Sequence, residues 1–129
     1  KDYGQAMAWF QKAATQGNAY AQYNLGVMYQ NGQDLIKDDV QAVAWYQKAA
    51  TQGNAAAQYN LGWMYHNGLG VPKDDGQAMA WYQKAATQGN AAARNHLGFM
   101  YQNGLGVTQD YDKPTFPTIL YKYLIYKKL

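Results

Sequence analysis

The chain has no cysteine, no serine and no glutamate, and only three of its 129 residues are proline. Without cysteine there is no disulfide staple and no thiolate to hold zinc. Without serine or cysteine the commonest nucleophiles are missing, and without glutamate so is half of the usual carboxylate chemistry. Histidine is scarce as well, with only His66 and His96. No apolar run approaches the roughly 20 residues that a membrane-spanning helix needs. No signal peptide is visible, but the chain opens inside a repeat, so we expect the natural start to lie upstream. The basic pI of about 9.0 misleads. Residues 1–112 carry seven Lys or Arg against eight Asp, a net charge of −1, and residues 113–129 add four lysines. The body of the chain therefore has no basic stripe for a phosphate backbone, and nucleic acid is not an expected partner.

What the chain does have is a repeat. Ala8–Gly32 returns almost letter for letter at Ala44–Gly68 and again at Ala80–Gly104. A fixed period of this length marks a stacked array rather than a closed core. Within one period the spacing is helical. Ala21, Leu25, Met28 and Tyr29 share one helix face, and Ala42, Trp45, Tyr46, Ala49 and Ala50 share another. Each repeat thus predicts two helices, a first over 19–31 and a second over 38–52. Gly26, Gly62 and Gly98 fall in mid-helix at a cost of about 1 kcal/mol relative to alanine. Their recurrence predicts close approach of a neighbouring helix.

Punctuation supports the same division. Gln-Gly-Asn at 52–54 and 88–90 reads as a helix stop and restart, with Gly53 in the left-handed region and Asn54 as N-cap. All eight acids are aspartate. Asp2, Asp38, Asp39, Asp74, Asp75, Asp110 and Asp112 sit at or near the starts of second helices, where carboxylates satisfy free N–H groups. Their spacing lacks the alternating oxygen ligands of a calcium loop, so no metal is expected. Gly68-Leu69-Gly70 is no phosphate-binding fingerprint, because no strand precedes it. No cofactor is expected either.

The pattern AAQYNLGWMYHNGLGVPKDDGQAMAWYQKAATQGN at 56–90 resembles the Sel-one-like repeat, a relative of the tetratricopeptide repeat. The resemblance implies an all-α superhelix, a solenoid of antiparallel helix pairs, in bacterial envelope, secreted or host-contact proteins. It also implies adaptor or interaction roles rather than catalysis. We divide the chain into a half repeat (1–17), two full repeats (18–53 and 54–89), a partial repeat (90–113) and a divergent segment (114–129). The loop Asn31–Asp39 reads NGQDLIKDD where the family has Gly-x-Gly-Val, which predicts a remodelled turn.

Near-identical repeats allow comparison within the chain. Carried over from the related fold through the shared Leu-Gly pair, the groove-facing positions are Tyr23, Val27, Gln30 and Asn31, then Tyr59, Trp63, His66 and Asn67, then Asn95, Phe99 and Gln102. Aromatics mixed with amides suit a protein or peptide partner, whose side chains they anchor and whose backbone they bond. Trp63 is the leading anchor; the alternative is that it fills a gap between first helices. His66 stands where Gln30 and Gln102 stand, and His96 where Asn24 and Asn60 stand, so both read as polar surface positions. Trp9, Trp45 and Trp81 recur on second helices and are expected in the core. Trp, Tyr, Asn and Gln also suit glycans or cell-wall fragments, and open repeat ends suit self-association.

Pro114 and Pro117 interrupt what would be a further second helix. Ile119–Leu129 follows with helical spacing of Leu120 with Leu124 and of Tyr121 with Ile125. We expect this segment to cap the open end of the stack, in its own molecule or in a neighbour.

Overall fold

The computed structural model describes residues 2–33 and 35–106. They form six helices: α1 (Tyr3–Thr15), α2 (Ala19–Asn31), α3 (Asp39–Thr51), α4 (Ala55–Asn67), α5 (Asp75–Thr87) and α6 (Ala91–Asn103). No strand occurs among the described residues. Each helix packs on its neighbours in the chain, α2 on α3 and α4 on α5 most extensively. The fold is the all-α array that the period predicts. The segment 114–129, the residues before it from 107 and Asp34 lie outside the described residues.

Polar residues fix the helix ends. Asp38 and Asp74 accept from the backbone N–H of Gln41 and Gln77 at 3.1 and 3.0 Å. Asn18, Asn54 and Asn90 each accept from the third residue onward at 2.8 Å. Asp39 and Asp75 follow as the first helical residues, where a negative charge faces the positive end of the dipole. The loop after α2 keeps both bonds of its counterpart after α4. Gln33 N–H donates to Met28 O as Leu69 does to Met64 O, and Asp38 N–H to Tyr29 O as Asp74 does to Tyr65 O. At these bonds the expected remodelling is absent.

Gly26 and Gly62 are explained by what lies on them. A Cβ on Gly26 would stand 2.5 Å from the Tyr46 ring, and one on Gly62 would stand 2.8 Å from the Tyr82 ring. Both rings are fully buried, Tyr46 in one cluster with Leu61 and Met64 and Tyr82 in another with Leu97 and Met100. The repeated glycine thus makes room for the largest core side chain of each repeat.

The recurring tryptophans are a correction. Trp9 is 67% exposed, and Trp45 and Trp81 are only half-buried. Adjacent residues on a helix point about 100° apart, so when Tyr46 enters the core, Trp45 cannot. Trp45 lies instead against the cluster of Ala14, Ala21 and Leu25, on which Met7 and Phe10 of the preceding half repeat also pack. Lys48 and Lys84 stand 4.7 and 4.5 Å from the rings of Trp45 and Trp81. The tryptophans therefore form a rim between repeats, covered by lysine ammonium groups.

A buried amide relay links successive repeats. Gln22 and Gln58 are only 4% exposed, so their amides require partners. Gln22 Nε2 donates to Ala14 O of the preceding half repeat at 3.2 Å, and its Oε1 accepts from Gln52 Nε2 of its own repeat at 2.8 Å. Gln52 also donates to Gly17 O at 2.9 Å. Gln58 and Gln88 repeat the arrangement with Ala50 O and Gly53 O. At the third position Arg94 replaces the glutamine and donates from Nε to Ala86 O at 3.3 Å.

Candidate functional site

The first helices of successive repeats, α2, α4 and α6, flank two adjoining concavities. One, of about 290 Å³, is lined by Tyr23, Val27, Gln30 and Asn31 of α2 and by Tyr59, Asn60 and Trp63 of α4, with Tyr46 of α3. The other, of about 410 Å³, is lined by Trp63, His66 and Asn67 of α4 and by Asn95, His96 and Phe99 of α6. Trp63 belongs to both. It also packs against the core clusters of two repeats, so it fills a gap and faces the groove at once.

Ten of the eleven positions named from the sequence line these concavities. Gln102 lines neither and is exposed. Tyr46, Asn60 and His96 were not named. Tyr46 belongs to a second helix, and only its contact with Gly26 brings it under the groove. His96 was legible as a departure from asparagine, but nothing in the sequence places it between aromatic rings.

The two compartments differ in chemistry. In the first, Tyr46 O–H donates to Gln30 Oε1 at 2.6 Å. Burial raises the Tyr46 phenol well above its ordinary value, and a hydrogen bond with Asn60 only partly opposes this. Burial also raises Tyr59 and Tyr82, the latter with help from Tyr59 and Asp75. These phenols remain neutral hydroxyls. In the second compartment His66 occupies the place of Gln30 but turns to Asp75, with Nδ1 2.7 Å from Oδ1. Lys73 Nζ reaches the same carboxylate at 3.2 Å and also donates to His66 O at 2.7 Å. Burial works against the Asp75 charge, but the hydrogen bonds from His66 and Lys73 outweigh it and hold the carboxyl below its usual range. His96 Nδ1 lies 2.9 Å from Ala92 O. Its ring packs 5.4 Å from that of Tyr59 and 5.2 Å from that of Tyr82, centroid to centroid. The expectation that both histidines are simple surface residues is thereby corrected, since each is half-buried and bonded.

His66 and Asp75 resemble a base and its orienting acid, but the sequence has no serine or cysteine to act beside them. Among the described residues no group of three or more His or Asp side chains could hold a metal ion. No described helix is long and apolar enough to cross a membrane.

Stacked helix pairs with variable side chains along one groove define a helical-repeat scaffold. The Sel1 repeat profile matches residues 1–18, 19–54, 55–90 and 91–113, and the chain belongs to the Sel1 repeat family. It is similar to c5321, a protective antigen of uropathogenic Escherichia coli with an SLR fold. The two are 41% identical over 99% of this chain and 27% of that one, with a TM-score of 0.85. A Sel1 repeat protein from Oxalobacter formigenes is 38% identical over 95% of this chain and 49% of its own, with a TM-score of 0.81. The cysteine-rich protein B of Helicobacter pylori is 27% identical over 75% and 73%, with a TM-score of 0.71. This chain spans about a quarter of the first structure and half of the second. Comparison with curated proteins gives no match. Sel1 repeat proteins are helical scaffolds, typically non-enzymatic, that generally mediate protein interactions.

Proposed function

We propose that the chain is a non-enzymatic binding scaffold that holds a segment of a partner protein in the groove between α2, α4 and α6. One observation carries this reading. The core residues Leu25, Met28, Tyr46 and Ala49 are kept in the next repeat, whereas several of the residues lining the two concavities change. Val27 becomes Trp63 and Phe99, Tyr59 becomes Asn95, and Gln30 becomes His66. Variation at an open face is what recognition of a particular partner requires, since packing there imposes no such change. Trp63 is the anchor, being shared by both compartments and set between amides that can bond a peptide backbone. Selection of peptides from a random display library tests the reading. Selected peptides should lose at least about 30-fold in affinity with Trp63→Ala, as at an interface hot spot worth about 2 kcal/mol. Peptides that bind the variant and the parent equally would place the partner elsewhere. Cell-wall glycan fragments screened in parallel give the competing outcome.

A further inference from the structure

Departures from the repeat pattern converge on the compartment between α4 and α6. Its walls are Trp63 and Phe99 where α2 has Val27, and it holds His66 where Gln30 stands and His96 where Asn60 stands. Both imidazoles are oriented by their Nδ1 atoms. His66 Nδ1 meets the Asp75 carboxylate at 2.7 Å, and His96 Nδ1 meets the Ala92 carbonyl at 2.9 Å. A carboxylate and a carbonyl only accept, so each Nδ1 carries the proton. Nε2 is then a bare acceptor in the neutral ring and an N–H donor in the imidazolium.

Tyr82 is fully buried, and its hydroxyl has no hydrogen-bond partner. In the preceding repeat the same hydroxyl is satisfied by Gln30; here His66 has turned away to Asp75. The Tyr82 ring packs 5.2 Å from that of His96, centroid to centroid, behind the wall of the compartment.

We propose that this compartment is a subsite for an acidic side chain of the bound segment, engaged when His66 and His96 are protonated. The inference rests on the groove-binding reading above. The charged and titratable groups around the imidazoles are Asp75 of α5, Lys73 of the preceding loop, and the phenols of Tyr59 and Tyr82. Asp75 and Lys73 offset each other, and the phenols stay neutral. Protonation of either histidine therefore adds positive charge with no further carboxylate at hand. A carboxylate, which only accepts, matches two Nε2–H donors, and the rings of Trp63 and Phe99 wall the same compartment. Charge-assisted bonds of this kind are roughly twice as strong as neutral ones.

The test uses peptides selected from a random display library at about pH 5.5 and at about pH 7.5, either side of the range where histidine titrates. Aspartate and glutamate side chains stay ionised at both. Peptides selected at the lower pH should be enriched in Asp or Glu next to an apolar residue. One such peptide should bind about tenfold or more weakly at the higher pH. The same peptide with its acid replaced by the amide should show less than about a twofold change. His66→Gln/His96→Asn installs the residues of the other repeats and should remove the pH dependence; circular dichroism checks that helicity is kept. Peptides that depend on Trp63 but show neither acidic enrichment nor a pH effect lost in the double variant would overturn the subsite and leave the groove standing. If no selected peptide depends on Trp63, both fall.

Discussion

Tyr46 and Tyr82 occupy the same place in successive repeats, yet one hydroxyl is bonded and the other is not. Tyr46→Phe should therefore cost about 1 kcal/mol, a typical net hydrogen bond. Tyr82→Phe should be neutral or slightly stabilising. Urea melts of the two variants compare them directly, and equal losses would contradict the assignment. Gly26→Ala should destabilise by about 1–3 kcal/mol through overpacking against Tyr46, although alanine is the better helix former; a raised melting temperature would show that the ring has room to move. The tryptophans show where residue-level reading stops. Recurrence of Trp45 and Trp81 signalled packing, but not whether the neighbour lay within the repeat or in the repeat before it. Half-buried under lysines, Trp45→Ala should cost about 1–2 kcal/mol. Tyr46→Ala should cost about 3–5 kcal/mol, the usual range for a buried aromatic. Denaturant midpoints measure the order, and a larger loss at Trp45 would reverse it.

Helix boundaries were legible because each start is written by an Asn or Asp side chain that bonds a free N–H. The amide relay was not legible. Gln22 and Gln52 lie 30 residues apart, and glutamine at a helix surface normally meets water. Only the packing of the helices brings the two amides together, in a part-buried bond. Gln88→Ala removes the donor to Gln58 Oε1 and should cost about 1–2 kcal/mol. Gln58→Leu/Gln88→Ala should cost less than the sum of the single changes, since both act on one bond. The start of α5 adds a pH effect. The folded state holds the Asp75 carboxyl below its usual range, so its contribution is present above the unfolded value, near pH 4, and is lost as acid carries the pH down through the folded one. Acid melts of Asp75→Asn should accordingly be flatter than those of the parent below about pH 4.

Across the whole molecule, a 36-residue period gave the architecture, and the candidate groove positions were carried over from the related fold through the shared Leu-Gly pair. Gln102 alone fell outside, because the concavities end at Phe99 on α6. What comparison could not supply was depth: Tyr46 beneath the first compartment, and His96 packed beside the paired rings of Tyr59 and Tyr82 in the second. The molecule presents two aromatic surfaces, the groove centred on Trp63 and the lysine-covered rim of Trp45 and Trp81. The most direct measurement of the central claim is amide chemical-shift mapping of the chain with a selected peptide bound. The account predicts perturbations centred on Tyr59, Trp63, Asn67 and Phe99, with Trp45 and Trp81 unmoved. Perturbations centred on Trp45 and Trp81 with the groove silent would contradict it.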